Sequence, residues 1–209
     1  MSPAEELEQG IAALGLTVPP EAGQRLLRYV DLLEKWNRVY NLTAIRDPRR
    51  MLPYHILDSL AVAPHVTGSR LLDVGAGAGL PGIPLAIARP ALAVTLLDAS
   101  HKKTAFLQQA VIELSLSRVD VVCARVEQWS ATPYDCIVSR AFSDLAEGVR
   151  LARHLLAPGG RLLAMKGVYP YEELAQLPAD VVAVEVQPLT VPGIEGSRHV
   201  VVMQVKSDG

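Results

Sequence analysis

The sequence predicts an α/β fold: a Rossmann-like, mostly parallel sheet of seven strands that closes with an antiparallel hairpin and carries an N-terminal helical extension. Three observations lead there. From residue 70 onward, short apolar runs alternate with helix-patterned segments, which is how a chain builds a parallel sheet wrapped by helices. The first run, 71–74, empties into glycines at alternate positions, Gly75, Gly77 and Gly79, and then opens a helix. The last two runs, 181–189 and 199–206, flank a loop with Pro192, Gly193 and Gly196, a hairpin signal.

Taken in order, the first third is helical. A helix over 3–14 closes at Gly15, and a longer one after Pro19-Pro20 carries an apolar stripe of Leu26, Leu27, Val30, Leu33, Trp36 and Tyr40 that suits a core face. A third helix is expected over 51–62, with Pro64 and Gly68 marking the boundary to the sheet. The expected strands are then 71–74, 94–97, 119–123, 135–139 and 161–165, with helices over 101–114 and 145–156 and a Pro158-Gly159-Gly160 turn. At 209 residues, half of them hydrophobic, the chain suits one structural unit, an extension over 1–66 packed on a core domain over 67–209.

A formal charge of −2 excludes a protein coated in positive charge, but a nucleic-acid partner needs only a local basic face. No apolar run is long enough for a membrane helix, and the acidic start MSPAEELEQG is unlike a signal peptide, so a cytoplasmic location is expected. The cysteines, Cys123 and Cys136, fall in or beside strands that two others separate, about 14 Å at the usual spacing and too far for a disulfide. They are expected to be buried thiols. No cysteine or histidine spacing suggests a metal.

Ligands of open parallel sheets sit at the carboxyl ends of the strands. The dinucleotide pattern would need a glycine where Leu80 stands, so a strict NAD site fails. The pattern D-x-G-x-G-x-G from Asp73 is instead similar to the first motif of S-adenosylmethionine-dependent methyltransferases, and the parallel sheet with a terminal hairpin suits their class I fold. Asp98, about twenty residues past the glycine turn and at the end of the second strand, is placed to accept hydrogen bonds from ribose hydroxyls. After the third strand, Val126 and Glu127 are placed to border the adenine, although Glu127 also suits a helix start. After the fourth, Arg140 would point into the cleft, where its fork grips carboxylate or phosphate.

The loop 41–50, with Arg46, Arg49 and Arg50, either presents arginines to phosphates or is ordinary solvated charge with Thr43 or Asp47 capping a helix. Ser139-Arg140-Ala141-Phe142 lacks the Asn/Asp-Pro-Pro-Tyr/Phe pattern of exocyclic-amine methylators, and neither cysteine follows a proline as a cytosine-C5 nucleophile would. A target with a free lone pair, such as guanine N7, needs no base and fits the absence of a convincing acid-base pair.

The segments NLTAIRDPRRMLPYHILDSLAV, LLDVGAGAGLPGIPLAI, LLDASHKKTAFL, RVE, VSRAF, MKG and GSRHVVV together resemble the RsmG (GidB) family of bacterial small-subunit ribosomal RNA methyltransferases. The resemblance implies transfer of a methyl group from S-adenosylmethionine to guanine N7 of 16S rRNA or of a small-subunit precursor; with no heptad pattern or long exposed strand in the sequence, a monomer is expected. The resemblance also implies cofactor contacts by Gly75, Leu80, Val126, Glu127 and Arg140, with Asp98 at the ribose, and the motif itself adds Asp73, Gly77 and Gly79 to the cofactor candidates. Arg46, His55, Lys102, Lys103, Lys166 and Arg198 become candidates for RNA, and Arg140 and Lys166 for catalysis.

Overall fold

The computed structural model of the protein describes residues 1–206, so the last three positions of the 67–209 span lie outside the described residues. Seven strands form one sheet in the order β3-β2-β1-β4-β5-β7-β6. Strands β1 (Arg70–Val74), β2 (Ala93–Asp98), β3 (Val119–Cys123), β4 (Tyr134–Ser139) and β5 (Leu156–Lys166) are parallel, and β7 (His199–Val205) runs antiparallel between β5 and β6 (Val181–Pro188). This is the predicted architecture. The strand order reverses between β1 and β4, which opens the crevice at their carboxyl ends.

The longest helices around the strands are α5 (Gly82–Ala88), α6 (His101–Glu113) and α7 (Leu145–Ala152), with α1 (Pro3–Ala13) and α2 (Ala22–Tyr40) from the extension. Ser2 opens α1 with a reciprocal capping box to Glu5, satisfying two otherwise orphaned donors. The extension has no core of its own. Leu7, Leu26, Leu33, Ile56 and Leu60 belong to the same buried cluster as Leu71, Ile83, Phe106 and Val200. Each such side chain contributes about 1.5–3 kcal/mol by leaving water.

Three details differ from expectation. The third helix is α3 (Pro48–Met51), a π-helical stretch Leu52–Leu57 and α4 (Asp58–Leu60), because the extra residue per turn of the π segment breaks the 3.6-residue periodicity. Tyr40 lies on the exposed end of α2, while Tyr29 and Asn37, outside the expected stripe, are buried. Strand β5 starts five residues early, running through Pro158-Gly159-Gly160, and its register against β4 shifts between Tyr134 and Cys136.

Candidate cofactor cradle and arginine cavity

The cradle is built almost wholly from backbone. Gly75, Gly77 and Gly79 have φ of +69°, +58° and +89°, the left-handed region that side chains resist. The amides of Gly75 and Ala76 donate to the carbonyl of Leu97 at 2.8 and 3.0 Å, tying the turn to β2. Gly77 N–H donates to Asp98 Oδ2 at 2.9 Å. The three glycines serve different needs. A Cβ on Gly75 would come within 2.8 Å of Ala141 Cβ, and one on Gly79 would run into Ile83 and Leu107, but one on Gly77 would meet nothing closer than 3.8 Å. Gly77 therefore borders open space where a ligand can lie against the main chain.

Asp98 is 8 % exposed, and its carboxylate takes Gly77 N–H on Oδ2 and Ser100 N–H at 2.9 Å on Oδ1. A carboxylate has about four acceptor positions, so each oxygen keeps one that no protein group fills. Asp73 sits differently. It is wholly buried, with Oδ2 accepting from Gly82 N–H at 2.8 Å at the start of α5 and Oδ1 unpartnered. Burial raises its pKa to about 7, against the Gly82 hydrogen bond and the Arg140 charge that lower it. Asp73 thus holds α5 against the turn from beneath. Leu80 is also buried, its amide bonded to Ala76 O at 3.1 Å. Val126 is half-buried, and Glu127 is exposed and paired with Arg125 at 2.6 Å, which holds its carboxyl below the usual range.

The extension reaches the cradle through Tyr29, whose buried hydroxyl donates to the carbonyl of Ala78 at 2.5 Å. Burial pushes that phenol far above its ordinary pKa, so it stays a donor at every physiological pH. No motif marked Tyr29; only its place one turn from Leu26 and Leu33 on α2 hints at an inward position.

Beyond β4 lies a cavity of 270 Å³ lined by Asp58, Arg140, Met165, Lys166, Gly167, Leu189, Arg198 and His199. It shares the 139–142 segment with the cradle. Ser139 Oγ fixes that segment by donating to Val74 O at 2.8 Å and accepting from Ala141 N–H at 2.9 Å. Arg140 Nη1 lies 3.7 Å from Asp58 Oδ2 and makes no hydrogen bond, while Arg198 Nε donates to Asp58 Oδ1 at 3.2 Å. Lys166 is fully engaged: Nζ donates to Glu173 at 2.7 Å and to the carbonyls of Phe142 and Ser143 at 3.0 and 3.4 Å. It braces the loop after β4, and Glu173 in turn accepts from Leu145 N–H at the start of α7.

The other candidates divide by exposure. Arg46 is exposed at the 41–50 loop, its guanidinium bonded to Asn41 Oδ1, and Lys102 is exposed and Lys103 half-buried at the start of α6. His55 is only 3 % exposed, so its ring is not presented to a partner. Its Nδ1 can only donate to the carbonyl of Tyr54 at 3.1 Å, which leaves Nε2 to accept from Thr43 Oγ1 at 2.9 Å. Burial, helped by the Arg140 charge, lowers its pKa to about 4, so the ring is neutral. Thr43 therefore pins the loop to His55, its Oγ1 also accepting from Ile45 N–H at 3.2 Å, and the helix cap falls to Asp47, which caps α3 through Arg49 N–H. Cys136 is buried as expected, but Cys123 is exposed at the end of β3, 3.3 Å from His101 Nδ1, because β3 is the edge strand of the sheet and has a neighbour on one side only.

A glycine turn with open space at Gly77, an acid with spare acceptors at the neighbouring strand end, and the 3-2-1-4-5-7-6 sheet define an S-adenosylmethionine-dependent methyltransferase. The residues present fit that cofactor. Solved structures agree on the fold: TrmN from Thermus thermophilus (TM-score 0.56, 22 % identity, 81 % of this chain and 53 % of that one) and precorrin-6Y C5,15-methyltransferase from Geobacter metallireducens (0.52, 14 %, 79 % and 91 %). The family described as rRNA small subunit methyltransferase G (GidB) matches residues 22–201, and the chain belongs to it. Ribosomal RNA small subunit methyltransferase G of Laribacter hongkongensis is 59 % identical, covering 96 % of this chain and 98 % of its own. The protein of that name from Chromobacterium violaceum is 56 % identical over 95 % and 96 %.

Proposed function

We propose that the protein methylates N7 of a guanine in bacterial 16S rRNA with S-adenosylmethionine, holding the cofactor in the glycine cradle and an RNA phosphate in the arginine cavity. The observation that carries this reading is the shared wall: residues 139–142 touch the cradle at Gly75 and line the cavity at Arg140. A methyl donor on one side and two guanidinium groups on the other fit a polyanionic substrate brought up to a sulfonium.

Bound there, S-adenosylmethionine supplies a methyl group activated by its positive sulfur, and a ring nitrogen with a free lone pair takes it without losing a proton. No side chain is needed as a base. The chain's part is positioning: Gly75, Gly77 and Leu80 would shape the cofactor's seat, Asp98 would orient its ribose, Val126 and Glu127 would border its adenine, and Arg140 would meet the RNA from the cavity it lines. Arg46 on the 41–50 loop and Lys102 and Lys103 at the start of α6 are the outer cations offered to the RNA. Arg198 joins Arg140 inside, and Lys166 acts by bracing the loop that carries Arg140. The 1–66 extension completes both sites and is not a separate module. A cytoplasmic monomer is the state in which this one-chain site meets ribosomal RNA; among the described residues no helix is long and apolar enough to cross a membrane.

Incubation with methyl-labelled S-adenosylmethionine, against naked 16S rRNA and against unmodified small subunits, tests the reading. Incorporation mapped to a guanine N7 is expected; no incorporation into either substrate would overturn it.

A further inference from the structure

We propose that Asp58 is the positioning residue of the arginine cavity, holding Arg140 and Arg198 side by side so that both can engage one RNA phosphate. The inference rests on the RNA reading above. Its carboxylate is 6 % exposed and contributes one oxygen to each guanidinium, Oδ1 to Arg198 Nε at 3.2 Å and Oδ2 facing Arg140 Nη1 at 3.7 Å. These three residues come from the extension, from the end of β4 and from the loop between β6 and β7. Without a negative charge between them, two guanidiniums in a half-buried cavity repel and turn apart.

A second observation concerns how Asp58 is aimed. It follows directly on the π-helical stretch Leu52–Leu57, and one extra residue in a turn rotates every later side chain by about 100°. π-Turns are rare and gather at functional sites. The cavity also shows why one phosphate is the right occupant. Arg140, Arg198 and Lys166 carry three positive charges, Asp58 and Glu173 two negative ones, so one positive charge is left for a phosphodiester that carries one negative.

Asp58→Asn, which keeps the shape and removes the charge, tests the proposal, with kcat/KM on small-subunit RNA, direct RNA binding and S-adenosylhomocysteine affinity as readouts. The expected result is a fall in kcat/KM of about tenfold, a smaller effect of the substitution in an Arg198→Gln background, and cofactor affinity within about twofold of wild type. Asp58→Glu, which restores the charge on a longer arm, should recover part of the loss and serves as the test should Asp58→Asn fold poorly. Losses that simply multiply between Asp58 and Arg198, a kcat/KM near wild type, or an equal loss of cofactor affinity would each overturn it. A wild type that binds RNA in an Asp58-dependent way but transfers no methyl would remove the assigned reaction and leave this proposal standing.

Discussion

The cradle and the cavity share one wall and are built in opposite ways. The cradle takes its turn, its acid and its helix from 73–98, and its contacts are backbone amides donating to the Leu97 carbonyl and to the Asp73 and Asp98 carboxylates. The cavity gathers Asp58, Arg140, Lys166 and Arg198 from across the chain, the first and last 140 positions apart, and its contacts are between charged side chains. A backbone-built site depends on what a Cβ would fill. A charge-built site depends on partners that substitution can remove one at a time, and on salt that screens them.

Filling the cradle should give the largest effect. Gly77→Leu puts a side chain into the open space at a left-handed position and should weaken S-adenosylhomocysteine binding by on the order of a thousandfold, ~4 kcal/mol, from steric overlap plus backbone strain. Calorimetry measures it; unchanged affinity would move the cofactor away from Gly77. Next is His55, on the same π-helical stretch that leads to Asp58. Its folded pKa of about 4 lies below the ordinary 6.5, so its stabilisation is complete above pH 6.5 and is lost as pH falls toward 4. The loss amounts to about 3 kcal/mol. Thermal melts of His55→Gln against wild type should show the two converging in acid. Equal pH slopes would mean that the ring is not buried neutral.

The smallest of the three effects should be Arg140→Ala in the cavity, lowering kcat/KM for RNA by roughly thirtyfold, ~2 kcal/mol, the worth of a charged hydrogen bond. Raising salt should reduce that difference and leave cofactor affinity nearly constant. If salt moves both alike, the two regions do not differ as their construction says.

How legible each region was follows from the same contrast. The cradle could be read because its glycines, Asp98 and the missing glycine at Leu80 are neighbours, and local backbone demands leave a local signature. Asp73 could not be read correctly from position alone: the motif places it beside the ligand, and only the packing of α5 shows it buried beneath Gly82. In the cavity, Arg140, Lys166 and Arg198 were each visible as cations, but not that Lys166 has all its donors taken inside the protein. The resemblance alone makes His55 a candidate for RNA. The π-helical stretch turned it inward, and no 3.6-residue pattern anticipates that turn.

The sequence by itself determined the sheet, its terminal hairpin and the glycine turn, because apolar periodicity and glycine spacing act over a few residues; the family came from the resemblance of segments spread along the chain. Only the tertiary structure decided that Tyr29 of the extension holds the Ala78 carbonyl and that Asp58 stands between two arginines. Those contacts join residues far apart in the chain. Such a pairing depends on which helix packs where and on how burial strengthens a charge or strands a carbonyl, and neither quantity exists until the chain has folded.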